Sequence, residues 1–198
     1  MSLSLRDQHA QATRERILGA VADLLEKGDV DEPTMPDVAR ASGVSLRTIY
    51  RYYPTRDDLL EAAGRWIGEE LLEHPFPSTL DEVADLYQEG VRDFDERPEL
   101  VRALAFSQLG RRVRDHRRRE RLEAVRQAMR TELTELSEEE LRRAEAVLAY
   151  LHNMLAYTTL REEHGLSGDD IGAAIGWAIR TLIADLRRTQ ARRRSTNE

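Results

Sequence analysis

One grammar recurs at the start of segment after segment in this chain. A serine or threonine is followed three residues later by an aspartate or glutamate, just ahead of apolar residues spaced by three and four. Thr34/Asp37, Thr55/Asp58, Ser78/Asp81, Ser137/Glu140 and Ser167/Asp170 all fit it. In such a box the hydroxyl accepts from an orphan backbone N–H and the acid sits at the positive helix end, worth about 1 kcal/mol per good cap. A single match would mean little. Five, each leading into a helical pattern, constrain the chain to helices. Period-2 alternation, the mark of a half-buried strand, is absent. The expected fold class is all-α.

Apolar spacing predicts about nine helices: Arg14–Lys27, Met35–Ala41, Leu46–Tyr52, Arg56–Glu73, Thr79–Arg97, Pro98–Leu109, Asp115–Leu136, Glu138–His164 and Asp169–Arg188. Gly28 stops the first, and Pro54 disfavours a helical residue before it. Pro75 and Pro77 mark the boundary between a small domain and a larger helical body. Residues 1–13 and 191–198 are polar and lie outside any periodic pattern, so a disordered arm and tail are expected. Residues 14–55 then form an N-terminal three-helix domain, 56–77 a connecting helix and linker, and 78–190 a helical-bundle body.

The chain has 198 residues, a net charge of −7 and no cysteine. Disulfides and thiolate metal sites are therefore excluded. No signal-peptide pattern and no membrane-length apolar run is present, so a cytoplasmic protein without a membrane partner is expected. Acidity argues at first against nucleic acid, but distribution matters more than the sum. Residues 1–56 carry eight basic and eight acidic side chains, and Arg40–Arg56 holds four arginines and no acid. A basic strip on a neutral domain is compatible with DNA.

That strip has the pattern of a helix-turn-helix. Gly43 supplies the backbone freedom of a tight turn between two short helices, and Val38, Ala39, Val44 and Ile49 are placed to pack them together. Ser45 caps the second helix, leaving Leu46, Arg47, Tyr50 and Arg51 on its outer, early turns. Early turns enter the major groove in this motif, where arginine can bind guanine bidentately and apolar groups can meet a thymine methyl. Tyr50 is equally open to packing, whereas Tyr53 reads as core.

Thr34–Leu59 resembles the N-terminal domain of the tetracycline-repressor (TetR) family. The resemblance rests on Val38-Ala39, Ala41-Ser42-Gly43-Val44-Ser45, Thr48-Ile49-Tyr50, the pair Tyr52-Tyr53, and Thr55-Arg56. Tyr53 stands where the family usually carries phenylalanine, and Arg56 where it usually carries lysine. The resemblance implies a homodimeric repressor of a palindromic double-stranded DNA operator, released by a small-molecule effector. By position, Leu46, Arg47, Tyr50 and Arg51 would face the bases, with Ser45, the cap, also counted among the DNA-binding residues. Thr34, Thr48, Tyr52 and Arg56 would hold phosphates, which fix register without reading sequence.

The two last helices look apolar on two faces, which calls for a second packing partner. A second copy is the simplest supply, with Tyr150, Tyr157, Gly172, Gly176, Ile179 and Ile183 expected at a four-helix dimer interface. Tyr87, Val91, Phe94, Phe106, Val125, Met129, Leu151 and Met154 lie at core-like spacings. The resemblance makes an effector pocket among them plausible, with the effector unnamed. Arg111–Arg121, with seven arginines, reads equally as a solvated loop or as a functional segment, an auxiliary DNA-backbone contact or a partner for an acidic effector. A DNA-binding protein without an effector, architectural or controlled by a partner protein, would show the same motif. A helical-bundle enzyme is the remote alternative. His9, His74, His116, His152 and His164 make no ligand pattern and no nucleophile–base set stands out, so no catalysis, metal or cofactor is expected.

Overall fold

Side-chain caps open helix after helix in the computed structural model. It describes all residues except 1–3, 29–32, 72–74 and 198, and all side chains among the rest except those at 70, 71, 108, 112–117 and 197. The described residues form α1 (Leu5–Glu26), α2 (Met35–Ser42), α3 (Leu46–Tyr52), α4 (Arg56–Trp66), a π-helical turn (Ile67–Leu71), α5 (Leu80–Glu96), α6 (Pro98–Phe106), α7 (Gln108–Glu132), α8 (Glu138–Leu151), α9 (Met154–His164) and α10 (Gly168–Asn197), with no strand among them. The all-α expectation holds, with ten α-helices among the described residues where nine were expected.

Thr34, Thr55 and Ser137 each form a reciprocal box with the acid three residues on. The Ser167 hydroxyl accepts from the Asp170 N–H at 3.2 Å and donates to its carboxylate at 2.7 Å. The expected Ser78/Asp81 box is displaced by one residue. Thr79 accepts from the Glu82 N–H at 3.4 Å, and the Glu82 carboxylate accepts from the Ser78 N–H at 2.7 Å. The predicted Glu138–His164 helix is two helices. Its break follows from Asn153, whose side chain accepts from the Leu155 and Ala156 N–H groups and so begins α9.

Within the described residues both ends differ from the expected disorder, residues 1–3 and 198 lying outside them. Ser4 accepts from the Asp7 N–H, so α1 starts at Leu5. At the other end α10 continues to Asn197, tied down by a run of bonds. Gln190 donates to the Glu132 carbonyl at 2.8 Å and accepts from the Glu135 N–H at 3.1 Å. Arg193 reaches the Glu135 carbonyl at 3.0 Å and grips the Glu140 carboxylate at 2.6 and 2.8 Å.

The chain divides into two compact units whose limits are not those of the sequence reading. One combines Met1–Glu73 with Arg97–His116, the other His74–Glu96 with Arg117–Glu198. In the first, α1 packs against α2, α4 and α6. Its core gathers Ile17, Val21, Leu25, Val38, Ile49, Leu59 and Ala63 with Leu100 and Leu104 of α6. Arg97, just ahead of α6, holds the Glu26 carboxylate at 2.5 Å. Joining distant segments in this way is invisible to a search for linkers, which looks for one cut.

In the second unit α5 packs along α10. Leu80, Val83, Ala84, Tyr87 and Val91 of α5 are buried, as are Ile171, Ile175, Ile179 and Ile183 of α10. Arg187 of α10 bridges Asp81 at 2.8 Å and Glu132 at 2.6 Å.

Glu140 offers a test of the cap that starts α8. Hydrogen bonds from the Ser137 backbone and hydroxyl, then from Arg193, pull its carboxyl down to about 2 from an ordinary 4.5. A folded-state value below the unfolded one gives stability that is present above the unfolded value and lost as pH falls through the folded value. Glu140→Gln is expected to flatten the acid limb of stability between about pH 4.5 and 2. Denaturant unfolding at stepped pH measures this, and an acid limb identical to wild type would contradict the assignment.

Candidate nucleic-acid interface

The turn between α2 and α3 is built from backbone geometry outward. Gly43 sits at φ 64°, ψ 17°, the left-handed region where a side chain would be strained, and it ends α2. Arg16 of α1 donates to the Ser42 carbonyl at 2.9 Å, satisfying an orphan acceptor at that helix end. The Ser42 hydroxyl accepts from the Val44 N–H at 3.2 Å. Ser45 then starts α3 by accepting from the Thr48 N–H, also at 3.2 Å. Val38, Val44 and Ile49 are buried between the helices, as the motif requires.

Packing one face of α3 inward turns the other outward. Leu46, Arg47, Tyr50 and Arg51 are exposed, Tyr50 to 47%. Tyr53 is buried, and removal from water raises its hydroxyl pKa above the ordinary value. Of the four arginines in the basic strip, two are engaged inside the domain. Arg40 pairs with Asp37 at 3.0 Å, and Arg56 donates through Nε to the Pro33 carbonyl at 3.0 Å. Arg47 and Arg51 have no acidic partner among the described residues, which leaves their charge to whatever approaches α3.

The residues expected at phosphates are less uniform. Thr34 is the α2 cap and Thr48 shares a 2.8 Å hydroxyl bond with Ser45, so both work first as helix-start groups. Arg56 ties the start of α4 to the segment before α2. Arg56→Ala is therefore expected to lower the melting temperature of the N-terminal unit by a few degrees, from the loss of about 1–2 kcal/mol for a charged hydrogen bond. Circular dichroism melting checks this, and an unchanged melting temperature would mark the bond as inconsequential. Two basic residues at this site were not anticipated, Arg14 and Arg16, both on α1. Apolar spacing alone starts this helix at Arg14; the Ser4 cap on the Asp7 N–H, which starts it at Leu5, is the signal that sets both arginines inside a helix.

The residues proposed for a pocket are divided. Tyr87, Val91, Val125, Met129 and Met154 are buried in the second unit, with Phe94 and Leu151 half-buried. Phe106 does not join them. It is 61% exposed, and it belongs to the first unit because α6 packs on α1. Tyr87 meets His152 edge-on at 5.3 Å, and its buried hydroxyl has no hydrogen-bond partner among the described residues. Gln88, one residue on, donates to the Gly172 carbonyl at 3.2 Å, and the Asn153 side chain caps α9.

Most of the residues proposed for a dimer face inward instead. Tyr157 is buried and donates to Asp95 at 3.0 Å. Ile179 and Ile183 are buried where α10 packs along α5, and Gly172 and Gly176 seat Gln88 of that helix. The two apolar stripes of α10 are taken up within its own unit, mainly by α5, which the glycines let approach closely, and also by α8 and α9. Only Tyr150 among the six is exposed, at 60%. Val147 beside it and Trp177 on α10, the latter 68% exposed, were missed. The arginine-rich segment 111–121 lies within α7, and the side chains of 112–117 fall outside the described residues.

No helix among the described residues is long and apolar enough to cross a membrane. Residues 17–63 match the family model for bacterial regulatory proteins of the tetR family. The chain is 32% identical over 84 residues to the HTH-type transcriptional regulator AlkX of Mycobacterium tuberculosis, a stretch that is 41% of this chain and 40% of AlkX. It is 43% identical over 58 residues to the HTH-type transcriptional repressor LfrR of Mycolicibacterium smegmatis, 28% of this chain and 31% of LfrR. The chain thus spans less than half the length of these two relatives. Beyond that stretch the likeness is one of fold. A tetR-family transcriptional regulator from Streptomyces coelicolor superposes with a TM-score of 0.60 at 18% identity, over 91% of this chain and 89% of the other. The N-terminal helix-turn-helix is thus similar to that of the tetR family of bacterial regulatory proteins.

Proposed function

We propose that this chain is a DNA-binding transcriptional regulator, a repressor that binds a palindromic operator as a homodimer and leaves it when a small molecule binds the second unit. The observation that carries the reading is the outer face of α3. Leu46, Arg47, Tyr50 and Arg51 stand exposed on a rigid, capped helix, and neither arginine is neutralised by an acid among the described residues. A guanidinium so placed matches the acceptor pair of guanine in the major groove. Repression, rather than activation, is suggested by the likeness to LfrR.

Dimerisation is supported by Val147 and Tyr150 on α8 and Trp177 on α10. Large apolar groups are exposed there on helices whose other faces are already buried. An effector is supported by the interior of the second unit, where the Tyr87 hydroxyl is a donor awaiting an acceptor. The buried apolar side chains of the same unit, Val91, Val125, Met129 and Met154, favour an uncharged or weakly polar organic molecule. Because coupling is reciprocal, operator DNA must weaken effector binding by the factor by which effector weakens DNA. Sedimentation of the protein with a duplex selected from a random pool tests the assembly. Two chains per palindromic duplex support the proposal, and one chain per duplex at saturation opposes it.

A further inference from the structure

Two guanidinium groups meet one ring in the N-terminal unit. Cζ of Arg51, on α3, lies over the Tyr52 ring at 5.3 Å from its centroid, and Cζ of Arg14, on α1, lies over the same ring at 5.4 Å. Neither arginine has a carboxylate partner among the described residues. Their neighbours are otherwise engaged. Arg16 is on the Ser42 carbonyl, Arg40 on Asp37, and Arg65 on Glu61 at 2.7 Å. Tyr52 is half-buried, so its ring is held by the domain while its two guests are exposed.

This arrangement has a consequence for recognition. An exposed arginine samples many rotamers, and ordering it on binding costs entropy. A ring beneath the guanidinium attracts it through the ring quadrupole and narrows that population beforehand. The attraction acts on the charge of the guanidinium and consumes none of its N–H donors. Its in-plane N–H fork stays available for a base edge or a phosphate. Arg14, although it comes from a different helix, is drawn to the same ring as a residue of α3.

We infer that Tyr52 is a positioning residue whose ring holds Arg51 ready to read a base and brings Arg14 of α1 into the phosphate-contacting surface. The inference rests on α3 being the DNA-reading helix. It departs from the expectation that Tyr52 acts through its hydroxyl on a phosphate, because phenylalanine would keep the ring and lose only the hydroxyl.

The test compares the full chain with its Tyr52→Phe, Tyr52→Leu, Arg51→Ala and Arg14→Gln variants. Nuclear magnetic resonance of the free proteins reads the ring-current displacement of the Arg14 and Arg51 side-chain protons. Tyr52→Phe should keep that displacement and Tyr52→Leu should abolish it. Selection from a random duplex pool then reads base preference. Tyr52→Leu should relax the same base position as Arg51→Ala, while Tyr52→Phe should keep that preference. Arg14→Gln should weaken all duplexes alike and lower the salt slope by about 0.9 per subunit, one phosphate's worth. Undisplaced arginine protons in wild type, or equal relaxation by Tyr52→Phe and Tyr52→Leu, would overturn the ring platform. An Arg14→Gln slope equal to wild type would remove Arg14 from the surface. A wild-type chain that selects no duplex removes the DNA reading itself, a result distinct from lost ring-current displacement. Should Tyr52→Leu not fold, Tyr52→Phe against Arg51→Ala carries the comparison.

Discussion

Replacing Arg47 and Arg51 together by alanine is expected to reduce operator affinity toward the level of random DNA. Each arginine is exposed on α3 and has no acid to leave behind among the described residues, so truncation costs the fold little. Each bidentate base contact is worth about 1–3 kcal/mol of discrimination, and a symmetric dimer would lose it in both half-sites. Phosphate contacts made by other residues survive, so binding to random duplex should fall far less. Titration on selected operator, single-base variants and random duplex at several salt concentrations separates the two losses. If the double variant lost affinity equally on every duplex, the arginines would be phosphate holders and α3 would not be read as proposed.

The second large effect separates the outer face of α10 from its inner one. Trp177→Asp is expected to leave the fold almost untouched, since exposed substitutions usually stay within about 0.5 kcal/mol. It should nonetheless dissociate the proposed dimer, because a buried tryptophan at an interface centre is commonly worth at least about 2 kcal/mol. Ile179→Asp should do the reverse. Ile179 is 0% exposed and lies on the face of α10 that packs along α5, so an unpaired charge there should cost the monomer about 3–5 kcal/mol. Sedimentation and thermal melting of the two variants side by side make the comparison. A stable monomer from Ile179→Asp together with an intact dimer from Trp177→Asp would restore the first reading of that helix and refute this one.

That reversal shows where sequence reasoning met its limit. Local chemistry was legible. Thr34, Thr55 and Ser137 announced α2, α4 and α8, and Gly43 announced the turn, because caps and left-handed residues act within four positions of themselves. The Ser4/Asp7 pair carried the same signal but stood in a polar stretch with no apolar period behind it. The Asn153 cap was hidden inside a continuous apolar pattern. What could not be read was partnership between distant segments. Gly172, Gly176, Ile179 and Ile183 are as consistent with a second chain as with α5, and only three-dimensional packing distinguishes them. The same holds for Phe106, which a core-like spacing assigned to one unit and the packing of α6 assigned to the other.

The central claim, that α3 reads a specific operator, is tested most directly by sequencing the genomic fragments the purified protein retains. The account predicts a small set of fragments sharing an inverted repeat, with half-sites about one helical turn or a multiple of it apart, and loss of that enrichment in the Arg47→Ala, Arg51→Ala double variant. Uniform retention across the genome, or an enriched motif unchanged in the double variant, would contradict it.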